Sequence, residues 1–329
     1  MKKTISVISA LILSIGLLTA CAGGSKEANS AGGGSTAAAG EESQTANEEE
    51  TASWPRTIVD AGENEITLSE QPQRIAILHS NYLEYFFALD VPPIASAGAS
   101  VGTAQQALDT YETLEPYRGT AEIMDLGSAR EINLEAILEA RPDVIVTFLG
   151  HKGLDEIYDQ LTQIAPVVLL DFNDTWQNQM RACAEIVGKE ELAKENIQKT
   201  ESSISAAYKV IAGQEKTVAL FRTNGGQAFV GRGNEDYYST FGIKAPEGYT
   251  YDYATFSLEA VAEMNPDYII LQDYIDISKG FVKSQEESSV WKNMNAVKNG
   301  NILYFDDSLN TFGPLAMRLT AEKLEQSIK

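Results

Sequence analysis

The chain has 329 residues, with 25 Lys and Arg against 47 Asp and Glu, a formal charge of −22, two Cys and two His. So acidic a chain is repelled by the phosphate backbone that nucleic-acid binders engage, and two Cys with two His are too few for a disulfide scaffold, a Cys-rich zinc module or the capture of a bare transition metal. With 43% hydrophobic residues it has the apolar mass for sizeable cores, and its length suggests about two domains.

Residues 1–20 read as an export signal: Lys2 and Lys3 form a basic start, and Ile5 to Leu18 an apolar run of 14 residues. That run falls short of the roughly 20 residues a bilayer core demands. It ends in Leu18-Thr19-Ala20-Cys21, which resembles the bacterial lipobox, so the mature chain is expected to start at Cys21 with a diacylglycerol on its thiol. Residues 21–53 then shift to Gly, Ala, Ser, Thr and Glu without apolar periodicity, the composition of a disordered tether.

From residue 54 onward short apolar runs alternate with helical stretches. Arg74–Leu78, Val167–Leu170, Val218–Phe221 and Ile302–Tyr304 read as buried strands, the pattern of parallel sheets. One segment occurs twice. Residues 133–146, NLEAILEARPDVIV, and 257–270, SLEAVAEMNPDYII, agree at seven of fourteen positions. Each predicts an N-cap (Asn133, Ser257), a short helix ended by Pro-Asp, and a buried strand. Between the copies, a helical pattern carries Met180, Cys183, Val187, Ala193, Ile197, Ile204, Tyr208 and Ile211 on one face, with Gly188 as a break or kink and Cys183 as a small buried hydrophobe. The expectation is an α/β protein of two lobes, residues 54–172 and 214–329, joined by a single long helix over 173–213, with ligand entering between the lobes at the strand ends.

The segments RIAILHSNYLEYFFALDVPPIASA, DLGSAREINLEAILEARPDVIV, IYDQLTQIAPVVLLDF and YATFSLEAVAEMNPDYII, together with the lipobox, resemble the substrate-binding lipoproteins of bacterial ABC importers for iron-siderophores and cobalamin. The resemblance covers essentially all of 54–329 and tilts toward the siderophore branch. It implies the class III periplasmic-binding-protein fold, two Rossmann-like lobes with parallel sheets on a helical backbone. It also implies a monomeric, non-enzymatic receptor on the outer face of the cytoplasmic membrane, held there by the lipid on Cys21. The cargo it implies is a ferric siderophore, transported rather than kept as a cofactor, and delivered to a dimeric permease with its ATPase. Glu135 and Glu259, equivalent in the repeat, are the residues that dock on the two permease subunits in such proteins. On the residues alone, each acid also complements the positive end of its own helix.

A pre-chelated iron needs aromatic surface and cationic groups from the protein, not metal ligands. Candidates lie in loops beside strands: His79, Tyr82, Phe148, His151 and Lys152, with Arg130 before the first repeated helix; then Arg222, Arg232, Tyr237, Tyr251, Tyr253, Phe312 and Arg318. Arg222 and Arg130 rank first through the resemblance, against the plain reading of a surface ion pair or loop-stabilising Arg. Tyr251 and Tyr253 alternate in what reads as an extended run, so both are expected on one face. Gly153-Leu154 stand where many catecholate and citrate binders carry a basic pair. With the many tyrosines and acidic background, this favours a hydroxamate-type or weakly charged complex. The alternatives are haem, for which His79 could serve as axial ligand, or cobalamin, and an exported α/β enzyme, although G-x-S-x-G, G-x-G-x-x-G and G-x-x-x-x-G-K-[ST] are all missing.

Overall fold

The repeated segments fold as their residues dictate. In α3 (Leu134–Ala140) Asn133 caps the first turn by accepting from the Ala136 N–H at 3.1 Å, and in α8 (Leu258–Met264) Ser257 does the same with Ala260 at 3.1 Å. Both helices stop at a left-handed residue, Arg141 (φ 46°) and Asn265 (φ 43°). The aspartate of each Pro-Asp then stitches its strand to a neighbour. Asp143 accepts from the Gln73 and Arg74 N–H groups, both at 2.9 Å, and Asp267 from the Thr217 N–H at 2.9 Å. Asn133→Ala and Ser257→Ala are each expected to cost about 0.5–2 kcal/mol, read as a lower urea midpoint at unchanged slope.

The structure, a computed structural model, describes residues 53–98 and 102–329. The export signal, Cys21 and the tether up to residue 52 lie outside the described residues. The first sheet has the order β5 (Met124–Ser128), β4 (Ala95–Gly98), β3 (Ile75–Ile77), β6 (Val144–Phe148), β7 (Val167–Leu170), with every neighbouring pair parallel. Its near-continuous apolar strands suit a sheet covered on both faces, here by α1 (Leu83–Ala88), α2 (Ala104–Thr110), α3 and α4 (Leu154–Thr162). An antiparallel hairpin, β1 (Arg56–Val59) and β2 (Glu65–Leu68), precedes it; Asp60 in its turn accepts from the Leu169 N–H at 3.1 Å and so fastens it to β7.

The second sheet has the order β10 (Thr255–Phe256), β9 (Phe229–Gly231), β8 (Val218–Arg222), β11 (Tyr268–Gln272), β12 (Ile302–Phe305). β8, β11 and β12 are parallel, but β9 and β10 run antiparallel at one edge, because only six residues separate β8 from β9, too few for a crossover helix. α7 (Glu235–Phe241), α8, α9 (Ile275–Gln285), α10 (Ser289–Asn293) and α11 (Asn295–Lys298) accompany this sheet.

The region 173–213, expected as one helix with Gly188 as a break or kink, does break there, and a single long helix then joins the lobes. α5 (Trp176–Val187) ends at Gly188, whose φ of 65° closes the turn, and α6 (Glu190–Ile211) continues. α6 begins in the first core with Ala193 and Ile197 and ends in the second with Ala207 and Ile211. Cys183 is fully buried on the first of these helices, and burial pushes its thiol pKa up. The C-terminal helix α12 (Pro314–Ser327) braces the lobes a second time: Leu315 packs in the first core, Ala316, Met317, Ala321 and Leu324 in the second.

Candidate functional site

In each sheet the chain starts at a central strand, runs out to one edge and returns to the other side, so a switch point lies between β3 and β6 and another between β8 and β11. Loops leaving the carboxyl ends of such strand pairs diverge and open a crevice. A cleft of about 1280 Å³ is lined by residues of both lobes and of α5 and α6, among them Asn81, Phe172, Trp176, Tyr253, Asn310 and Phe312.

The first wall is aromatic. His79, after β3, accepts the Asn81 N–H on Nδ1 at 3.3 Å, which places its own proton on Nε2. Burial first, and then His151, lower its pKa to about 4. Its ring meets Phe148 edge-on at 5.5 Å and Phe172 at 6.0 Å. Phe148 stacks on His151 at 4.6 Å. His151 is buried, donates from Nε2 to the Ala129 carbonyl at 2.5 Å and bonds Thr147 through Nδ1 at 2.6 Å. It therefore ties the loop after β6 to the turn carrying Arg130. Arg130 and Lys152 are themselves exposed on this lobe.

The second wall is lined by Tyr237, Tyr253, Asn310 and Phe312; Arg222 and Arg232 do not line the cleft, and the two are handled differently behind it. Arg222 Nη2 lies 2.8 Å from Asp307 and its Nε 3.9 Å from Asp273, and both carboxylates are buried. Arg232 makes no ion pair among the described residues. Its Nε and Nη2 donate to the Asn310 side-chain oxygen at 3.1 and 2.7 Å, and its guanidinium lies 5.2 Å from the Tyr253 ring centroid. Burial is the main cause holding the Arg232 pKa below its ordinary value. Tyr253 (φ 58°) and Phe312 (φ 55°), the two aromatic residues among the non-glycine positions of positive φ, both line the cleft. Bulky side chains avoid this conformation, and residues held in it gather at functional sites.

These placements sort the residues singled out from sequence. Tyr253, Tyr237 and Phe312 line the cleft, Tyr237 with little exposure and against Phe312 at 5.3 Å. His79 and Phe148 back it through Phe172. Tyr82 does not reach it: the side chain is 1% exposed in the first core. Nor do Tyr251 and Tyr253 share a face, because the left-handed backbone at Tyr253 turns it away while Tyr251 packs on Tyr238 at 5.2 Å and Tyr249 at 5.8 Å. Arg318 lies in a separate groove with Glu195 and Glu322. Phe172, Trp176 and Asn310 were missed. The first two follow β7, so the strand-end rule would have found them; no sequence signal marks Asn310. Among the described residues no group of three or more His, Cys, Asp or Glu could hold a metal ion.

The lobes also meet through polar contacts that converge on residues 306–316. Tyr111 Oη donates to Asp307 at 3.3 Å, and the Glu112 N–H to Asp306 at 3.2 Å. Glu84, buried on α1, accepts from the Leu315 and Ala316 N–H groups at 2.8 Å each and from the Thr311 hydroxyl.

The profile of the periplasmic binding protein family matches residues 75–309. In Bacillus subtilis (strain 168), the probable siderophore-binding lipoprotein YfiY is 28% identical, the match covering 93% of this chain and 92% of that one. The iron(3+)-hydroxamate-binding protein YxeB of the same organism is 27% identical, over 96% and 94%. The solved structure of siderophore-binding protein BauB, bound to two molecules of acinetobactin and ferric iron, superposes with a TM-score of 0.66 at 22% identity, covering 84% of this chain and 99% of that one.

Proposed function

Because the chain belongs to the periplasmic binding protein family, and is thus a binding protein rather than an enzyme, we propose that it captures a ferric siderophore in the inter-lobe cleft and hands it to an ABC importer. The observation that carries this reading is the cleft itself: a wide crevice lined by aromatic residues, Phe172, Trp176, Tyr237, Tyr253 and Phe312 among them, with Lys209 on its wall and the Arg232 guanidinium against the ring of Tyr253, the chemistry a pre-chelated iron requires. The relatives named for siderophore and ferric-hydroxamate binding, matched over nearly their whole length, support it. In this reading Cys21 carries the lipid that keeps the receptor on the outer face of the membrane, and Glu135 and Glu259 meet the permease.

Haem is the weaker reading. Axial ligation through His79 Nε2 requires the proton to move to Nδ1, which breaks the bond from the Asn81 N–H.

Titration with ferric hydroxamates, catecholates and citrate, followed by intrinsic tryptophan fluorescence, tests the proposal. At least one chelate is expected to bind at submicromolar concentration; if none binds below micromolar, the receptor reading fails. Trp176 lines the cleft and touches both cores, whereas Trp291 is buried in the second core. Trp176→Phe should therefore remove the largest share of the ligand-induced quench, and Trp291→Phe should leave most of it.

A further inference from the structure

Arg222 ends β8, and Arg232 directly follows the neighbouring antiparallel β9, its N–H on the Leu220 carbonyl at 2.9 Å; three carboxylates, Asp273, Asp306 and Asp307, are buried at this end of the second sheet. How those acids are apportioned decides which arginine retains a usable charge. Asp307 Oδ1 is engaged by Arg222 at 2.8 Å and its Oδ2 by the Tyr111 hydroxyl at 3.3 Å. Asp273 accepts from Thr223 Oγ1 at 2.6 Å and from the Tyr274 N–H at 2.8 Å. Asp306 caps the turn it begins, accepting from Ser308 N–H at 3.1 Å. Asn310 stands between this acidic group and Arg232. Its Nδ2 donates to Asp307, to Oδ1 at 3.0 Å and to the carbonyl at 3.1 Å, which fixes the amide so that only its oxygen can face the guanidinium.

The amide thus orients Arg232 along its Nε–Nη2 edge without neutralising it, and Nη1 makes no hydrogen bond among the described residues. Tyr253 covers one guanidinium face, is itself half exposed and sits in a backbone conformation that its bulk disfavours. A cation held this way binds an anionic oxygen at far less cost than one already paired with a carboxylate.

We propose that Asn310 and Asp307 set the charge preference of the cleft: Asp307 withdraws Arg222 from ligand recognition, Asn310 keeps Arg232 charged and aimed, and the preferred cargo is a ferric chelate that presents an anionic oxygen to the second lobe. This rests on the receptor reading above, and it reverses both the ranking of the two arginines and the preference for a weakly charged complex expected from sequence.

The test is the affinity ratio of an anionic ferric tris-catecholate over a neutral ferric tris-hydroxamate, measured by tryptophan fluorescence. Asn310→Asp should lower this ratio by about tenfold, the scale of one desolvated charge contact, whereas Asp307→Asn, which releases Arg222, should raise it several-fold. Opposite signs are the signature, since a merely structural role would weaken both chelates together. Should Asn310→Asp fail to fold in a thermal melt, Arg232→Gln must lower the ratio by itself. Variants that shift the ratio in the same direction, or leave it unmoved, overturn the assignment while the receptor reading stands. Wild-type protein that binds neither these probes nor any other ferric chelate overturns both.

Discussion

Replacing Glu84 with Ala is expected to destabilise the protein by about 3–5 kcal/mol, the combined scale of two stranded buried donors and the cavity left behind. The carboxyl is 3% exposed and joins the lobes: it sits on α1 yet satisfies the Leu315 and Ala316 N–H groups and the Thr311 hydroxyl at the start of α12. Removing it strands two buried donors, each at about 1–3 kcal/mol, and opens a cavity. Desolvation, outweighing the hydrogen bonds it accepts, raises the Glu84 pKa from 4.5 to about 7. Between those values the native state holds a proton that the unfolded chain releases. The stability arising from that proton is therefore complete below about pH 4.5 and lost as the pH rises through about 7. Glu84→Gln can keep the acceptor oxygen and donate to Thr311 without carrying a charge. Its stability relative to wild type should therefore improve between pH 5 and pH 8 in urea melts; a flat difference would mean that Glu84 is ionised throughout.

A second large effect is expected from the acids of the repeat. Glu135 and Glu259 occupy the same position in the first turns of α3 and α8, are exposed, and make no ion pair among the described residues. As helix-end charges alone each contributes about 0.3–1 kcal/mol of stability. In the proposed docking role they would act as a matched pair, because a symmetric partner offers the same site twice. The double change Glu135→Ala with Glu259→Ala should abolish iron uptake in cells while chelate affinity stays within about twofold and the melting temperature falls only slightly. Lost affinity with retained stability would instead place these residues at the cleft.

What the sequence disclosed follows from the range of the interactions involved. The repeated helix-strand units were legible because their determinants are local: an N-cap, a Pro-Asp stop and an apolar run within fourteen residues. The β1–β2 hairpin was not, because its strands are four residues each, bury only Ile58 and Leu68 fully and leave Val59 exposed, so no apolar run or clean alternation marks them. The antiparallel edge of the second sheet hides in strands of three and two residues. At the cleft, residue types were readable but their directions were not. Tyr82 and Tyr253 are equally good aromatic candidates in a string of letters, and only the packing of α1 and the backbone turn at Tyr253 separate them. Asn310 and Glu84 matter through partners 78 and more than 220 residues away, beyond any periodic signal.

The double brace of α12 has a consequence for biogenesis. Leu315 fills part of the first core, and the donors for the Glu84 carboxyl come from the same turn, so the amino-terminal lobe cannot complete its interior until residues 315 and 316 have been made. The two lobes are then completed together, late in folding, rather than one after the other. A polypeptide truncated before residue 314 should emerge with both lobes incomplete, not with a sound first lobe and a missing second.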